Sequence, residues 1–135
     1  MAVIDRVIGL LVYEDIPAAH DWLVKVFGLT PGGVYRDAQG SAVHGEVRAG
    51  EFVIWMHRVT AEFRLDSAQR MDVASGGLVV LVDDVDAHYA HAKAQGARVD
   101  REPRDQPYGH RDYGVTDLEG HRWWFATPVK KVEAR

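Results

Sequence analysis

The chain contains no cysteine among its 135 residues. Disulfide bonds, thiolate metal sites and cysteine nucleophiles are therefore excluded, and a cytoplasmic protein is expected. The chain also lacks an excess of positive charge, because 16 Lys and Arg are outnumbered by 20 Asp and Glu, which gives a formal net charge of −4. A nucleic-acid-binding protein needs clustered Lys and Arg to meet phosphates, so we expect no nucleic-acid partner.

Long apolar runs and several catalytic motifs are missing as well. No segment is long and apolar enough to span a bilayer, and the first residues lack a signal-peptide pattern, so we expect no membrane partner. The sequence has no Gly-rich phosphate loop, nucleophile elbow or paired-carboxylate motif. What it does have is 47% apolar residues, enough for the core of one compact domain.

The apolar and turn-forming residues repeat as strand, helix and three strands. In the first copy, an apolar strand predicted over 4–13 precedes a helix that begins after Asp15 and ends at Gly28. In the second copy, a strand over 78–82 precedes a helix between Asp84 and Gly96. The equivalent positions lie 69 residues apart in three pairs: Leu10 and Val79, Asp15 and Asp84, Trp55 and Trp124.

This repeat predicts an α+β fold of two tandem βαβββ modules. We expect one domain over 1–135, with module one at about 3–57 and module two at about 76–128. The connector at about 58–75 has no clear period and is predicted to be irregular, with one helical turn. A charged tail is expected at 129–135.

Two strands each carry a Trp at equivalent positions of the repeat. Since successive side chains of a strand point to opposite faces, the adjacent Trp123 and Trp124 cannot share one environment. Trp123 shares its face with Phe125 and is assigned to the core. Trp124 and its counterpart Trp55 are assigned to the other face.

Residues 108–111 (YGHR) and 115–123 (VTDLEGHRW) resemble the C-terminal motif of the vicinal oxygen chelate superfamily, with Leu118 where Pro is usual. That superfamily includes glyoxalase I, extradiol dioxygenases, fosfomycin-modifying enzymes and bleomycin-resistance proteins. Residues 15–29 also resemble its first helix, which ends in Phe27-Gly28-Leu29. The resemblance implies curved mixed sheets with a concave ligand groove, often completed by the second chain of a homodimer.

The resemblance also identifies where metal-dependent members hold a divalent ion. These four positions are Ile8 and Gly77 on the first strands, and Trp55 and Trp124 on the last strands. None offers the imidazole nitrogen or oxygen donors that such cations need. A two-residue slip would bring in His57 but would not supply four ligands. We therefore expect neither metal nor cofactor, as in the bleomycin-resistance-like branch, which sequesters a drug in this groove.

The preferred hypothesis is a binding protein that stacks a planar aromatic molecule between the two indoles, in a groove shared by the two chains of a homodimer. An antibiotic or a biosynthetic intermediate is the expected ligand. Trp is the best flat partner for such a ring. The predicted lining comprises Trp55, Trp124, His44, Glu46, His57, Tyr108, Asp112, Ile8 and Gly77.

Two alternatives stay open. The two tryptophans could plug the cleft of a protein without a ligand. The protein could also be a lyase, isomerase or dioxygenase with a shifted metal site, or with metal-free acid–base chemistry at His44 and Glu46. The resemblance implies a structural role for Arg111. The three helical histidines are interpreted as solvated; these are His20, His88 and His91.

Overall fold

The computed structural model describes residues 2–129 and forms them into two four-stranded sheets and three α-helices. From position 130 onward, the predicted charged tail lies outside the described residues. In chain order the elements are β1 (Gly9–Val12), α1 (Ile16–Phe27), β2 (Thr30–Arg36), β3 (Ala42–Ala49), β4 (Phe52–His57), α2 (Ala68–Met71), β5 (Gly77–Leu81), α3 (Val85–Ala94), β6 (Arg98–Asp105), β7 (His110–Thr116) and β8 (Arg122–Pro128).

The two sheets have the same strand order and the same pairing. The order is β1-β4-β3-β2 in the first sheet and β5-β8-β7-β6 in the second. In each, the first strand of the module pairs in parallel with the last, and the other neighbours are antiparallel. Leu10 lies opposite Trp55, and Val79 lies opposite Trp124, so the repeat holds in register as well as in sequence. The predicted α+β fold is confirmed.

Capping residues set the helix boundaries. Asp15 accepts a hydrogen bond from the Ala18 N–H at 3.1 Å, and Asp84 accepts one from the Ala87 N–H at 3.0 Å. Each satisfies a donor that has no partner within the helix, which is worth about 1 kcal/mol. Gly28 ends α1 with a φ of 73°, a conformation that favours glycine.

One hydrophobic core joins the two modules. The Phe27 ring, at the end of α1, lies 5.2 Å from the Trp123 ring and 4.9 Å from the Phe125 ring, measured between centroids. The Tyr13 hydroxyl donates to Asp117 at 2.5 Å, and Trp123 Nε1 donates to the same carboxylate oxygen at 3.1 Å. Each sheet therefore packs one face against the shared core and leaves its other face, the open face, turned away from it.

The connector packs against the junction of the modules. The Ser67 hydroxyl donates to the Glu14 carboxylate at 3.1 Å, and Gln69 donates to it at 2.5 Å. Ala68 is buried and lies 3.7 Å from where a Cβ on Gly120 would be. The predicted helical turn is present as α2, and a 3₁₀ turn over Ala61–Phe63 precedes it.

Two strands differ from their predicted form. The first was predicted over 4–13, but β1 spans only Gly9–Val12, and Leu10 is 40% exposed because it lies on the open face. The sequence predicts a short strand over 98–101, but β6 continues to Asp105, because register shifts keep this polar stretch paired with β7. None of the helices within residues 2–129 is long and apolar enough to cross a membrane.

Candidate functional site

The adjacent tryptophans of β8 point to opposite sides of the second sheet. Trp123 and Phe125 are fully buried in the shared core, whereas Trp124 is half-buried on the open face. The same alternation in β4 buries Met56 and leaves Trp55 39% exposed. The assignment of these side chains to opposite faces is confirmed.

Trp124 lies flat on a floor of two glycines. A Cβ added to Gly77 would be 2.6 Å from Trp124 Cζ3, and one added to Gly114 would be 3.3 Å from Nε1. The indole thus reaches the strands on both sides of β8 and covers both glycines. The space above Gly77, a residue of the predicted lining, is occupied by Trp124 itself.

A cation lies beside this indole. The Arg122 guanidinium carbon is 5.8 Å from the Trp124 ring centroid, a cation–π arrangement. Arg122 Nε is also 3.4 Å from Asp100, whose carboxylate accepts a hydrogen bond from the Thr116 hydroxyl at 2.7 Å. Sequence reasoning missed Arg122, although it lies two residues before Trp124 and strand alternation therefore puts both on one face.

Three predicted site residues meet on the open face of the first sheet. Glu46 is the register partner of Trp55. His44 Nε2 lies 3.0 Å from Glu46 Oε2, and its ring packs edge-on against Trp55 with centroids 5.2 Å apart. The Tyr35 ring, absent from the predicted lining, lies 5.6 Å from the His44 ring. A half-buried acid–imidazole pair therefore borders the exposed indole.

His57 and Ile8 lie at the margins of this face. His57 is the register partner of His44, and its Nε2 is 3.0 Å from the Thr60 hydroxyl. Because Thr60 donates its own proton to the Arg58 carbonyl, the His57 ring is the donor in that contact. Ile8 is half-buried and precedes β1, on the same side as Leu10.

Asp112 is bound by its own neighbours. Its buried carboxylate accepts hydrogen bonds from Arg101 at 2.6 Å, Gln106 at 3.0 Å and Tyr108 at 2.5 Å. Burial alone would raise the pKa of Asp112, but these hydrogen bonds outweigh it and hold the pKa below its ordinary value. The hydrogen bond between Tyr108 and Asp112 also raises the pKa of Tyr108. Tyr108 therefore offers an exposed ring face, while Asp112 positions it.

The structure does not bring the two predicted stacking partners into contact. Trp55 and Trp124 lie on the open faces of different sheets, and both faces point away from the shared core. Two cavities of about 650 and 610 Å³ in the described part of the chain are lined by other residues. The larger lies beside the connector and includes Arg98, Thr116 and Arg122 in its wall.

Two of the helical histidines were wrongly interpreted as solvated. His20 is buried, with Nε2 2.9 Å from the Gly32 carbonyl. His88 donates from Nε2 to the Phe27 carbonyl at 2.7 Å, and its Nδ1 is 2.6 Å from the Tyr113 hydroxyl. Burial lowers the pKa of His88, although the bond to Phe27 opposes this. His88 therefore joins α3 to the end of α1 as a neutral ring.

The residues present do not fit a metal ion. The four positions that the resemblance implies carry two indoles, an aliphatic side chain and a glycine, and none of these is a donor for a divalent cation. Within residues 2–129, moreover, no three His, Asp or Glu side chains are grouped so as to hold one. The arrangement offers flat aromatic surfaces bordered by charged groups.

Known proteins share this sequence pattern and fold. A family model described as the Glyoxalase/Bleomycin resistance protein/Dioxygenase superfamily matches residues 3–125. TioX from Micromonospora sp. ML1 is 31% identical, with a TM-score of 0.72 over 92% of this chain and 98% of TioX. TnmS3, an antibiotic binding protein from Streptomyces sp. CB03234, is 21% identical, with a TM-score of 0.72 over 95% and 98%. Rv0887c, an uncharacterised protein of Mycobacterium tuberculosis, is 29% identical over 90% of this chain and 74% of its own length. The chain belongs to the Glyoxalase/Bleomycin resistance protein/Dioxygenase superfamily.

Proposed function

We propose that the protein binds and sequesters a planar aromatic small molecule, an antibiotic or a biosynthetic intermediate, by stacking it on Trp55 and Trp124. The observation that carries this proposal is the matched position of the two indoles on the open sheet faces. Stacked aromatic pairs contribute about 0.5–1.5 kcal/mol beyond the burial of their area. TnmS3 supports the proposal, because a protein of this fold is described as binding an antibiotic.

A homodimer completes the proposed site. Within one chain both open faces point away from the core, so a ligand between two indoles needs Trp55 of one chain and Trp124 of another. Exposed apolar residues on these faces suit such pairing: Leu10 is 40% exposed, Val79 62% and Leu81 60%. The dimer is then isologous, with two equivalent grooves.

Tryptophan fluorescence tests the binding step. Titration with a panel of planar aromatic antibiotics is expected to quench the emission, and Trp124→Ala and Trp55→Ala are each expected to lower the affinity. Trp22→Phe is the matched control, because Trp22 is half-buried on α1 and packs against Phe27. Unchanged emission across the panel, or unchanged affinity in Trp124→Ala, would count against the proposal.

Mixed dimers test the shared groove. Coexpressed Trp55→Ala and Trp124→Ala chains would form a heterodimer with one complete groove and one groove lacking both indoles. The purified heterodimer is therefore expected to bind at half the wild-type stoichiometry, although each variant alone binds poorly. If each groove lay within a single chain, mixing would restore no binding.

The contact between His44 and Glu46 favours one other function, a metal-free enzyme. A half-buried imidazole 3.0 Å from a carboxylate can transfer protons to or from a bound substrate. Turnover of an aromatic ligand that is abolished by both His44→Gln and Glu46→Gln, in protein stripped of metal, would establish this alternative. Binding without conversion of the ligand would support sequestration.

A further inference from the structure

The open face of the second sheet is rich in arginine. Strand alternation and register place four arginines and two aspartates there: Arg98, Arg101, Arg104, Arg122, Asp100 and Asp112. This face therefore carries more positive than negative charge, although the chain as a whole has a formal net charge of −4.

Only part of this positive charge is neutralised. Arg101 pairs with Asp112 at 2.6 Å, and Arg122 pairs with Asp100 at 3.4 Å. Arg98 and Arg104 are exposed, and within residues 2–129 neither has a carboxylate within 4.0 Å. Two guanidinium groups on β6 are thus free to meet an anion.

These two arginines lie on either side of the row that contains Trp124. Arg98 is opposite Thr116, and Arg104 is opposite Asp112, whereas Gly114 between them is opposite Trp124. Alternate residues on one strand face are separated by about 7 Å. A ring stacked on the indole would therefore present its edge to both guanidinium groups, whose planar forks match a carboxylate.

We infer that the aromatic ligand carries an anionic oxygen group, a carboxylate or an ionised phenol, on the edge directed toward β6, and that Arg98 and Arg104 select it. This inference rests on the proposed function, because it assumes that the ring stacks on Trp124. An exposed ion pair contributes up to about 1 kcal/mol, which is about fivefold in affinity. Two such contacts predict a preference of up to about 25-fold for the anionic ligand over a neutral one of the same shape.

Three probes with one ring system and different charges test this selection: anthracene carboxylate, anthracene methanol and anthracene methylamine. The carboxylate is expected to quench tryptophan emission with the highest affinity, and added salt is expected to weaken its binding. Arg98→Gln and Arg104→Gln should each lower the carboxylate affinity about fivefold and leave the alcohol affinity unchanged. Arg36→Gln, an exposed arginine at the end of β2, is the matched control.

The outcomes separate this inference from the proposed function. Equal binding of all three probes would leave stacking intact and overturn the charge selection, as would a preference for the amine. A carboxylate preference that persists in both β6 variants would overturn the assignment to Arg98 and Arg104. If none of the three probes bound, stacking on Trp124 and the charge selection would both be overturned.

Discussion

Trp55 and Trp124 occupy the same position in two equivalent sheets, but only Trp124 lies across glycines. Trp124 has Gly114 directly opposite it, whereas Trp55 has Glu46. The Trp124 indole therefore packs against the glycine backbone of the sheet. The Trp55 indole is instead bordered by the side chains of His44 and Glu46.

Replacement of Gly77 by Ala is expected to displace the Trp124 ring. The added Cβ would be 2.6 Å from Cζ3 and would also meet the Arg122 carbonyl, so the backbone cannot avoid it easily. Overpacking of this kind costs about 1–3 kcal/mol. Urea unfolding and near-ultraviolet circular dichroism measure both effects. Gly76→Ala is the control, because no atom lies within 4 Å of its added Cβ; equal stability of the two variants would contradict the glycine floor.

Substitution of the two adjacent tryptophans should affect stability very differently. Trp123 is fully buried, so Trp123→Ala is expected to lower the free energy of unfolding by about 3–5 kcal/mol. Trp124 is half-buried on an open face, so Trp124→Ala should cost clearly less. Comparable losses in urea unfolding of the isolated chain would argue against the assignment of the two faces.

Asp112 is expected to make the free energy of unfolding decrease at acidic pH. Its folded-state pKa lies below the ordinary value of 3.8. Its contribution is therefore complete above the pKa of the unfolded chain and is lost as the pH falls through the lower folded-state pKa. Asp112→Asn should remove that acid-dependent part and cost about 1–3 kcal/mol at neutral pH, because its partners bond a charged group.

The control for Asp112 is Asp105→Asn. Asp105 is exposed and lies 3.3 Å from Arg111, and such a surface pair contributes less than about 1 kcal/mol. Unfolding midpoints measured from neutral pH down to pH values below the folded-state pKa would reveal the difference. If the unfolding midpoints of wild type and Asp112→Asn changed in parallel with pH, the Asp112 carboxylate would not be the source of the acid dependence.

His88 is expected to make the free energy of unfolding depend on pH in a higher range, below about pH 6.5. Its folded-state pKa is lowered from 6.5, so below that pH the unfolded chain binds a proton that the folded chain does not. Stability is therefore complete above about pH 6.5 and falls as the pH drops toward the folded-state pKa. Unfolding of His88→Gln is expected to be less pH-dependent in this range; an unchanged slope would exclude His88 as its origin.

The sequence predicted the duplicated modules because their signals are local. Asp15 and Gly28 bound a helix by their own backbone chemistry, and the alternation of Trp123 and Trp124 assigns each to a face. The end of β6 was missed because its polar residues, up to Asp105, are held by pairing with β7 and not by a hydrophobic pattern.

Contacts between distant segments could not be predicted from sequence. His88 was interpreted as solvated because it sits on a helix, yet its partners are Phe27 and Tyr113, from two other elements. Asp112 was predicted to contact a ligand, and the sequence did not show that three of its own neighbours donate hydrogen bonds to its carboxylate. In both cases tertiary partners decide what a polar side chain does.

The turn before β8 makes the two halves inseparable. Both oxygens of the buried Glu119 accept hydrogen bonds from the first module, at the backbone N–H groups of Glu14 and Asp15, and the carboxylate of Asp117 takes a proton donor from Tyr13. Separating the two modules would leave both oxygens of Glu119 without these donors in a low-dielectric environment, and Asp117 would lose its bond from Tyr13. We therefore expect the duplicated halves to unfold together as one cooperative unit, with neither half folding alone despite its repeated architecture.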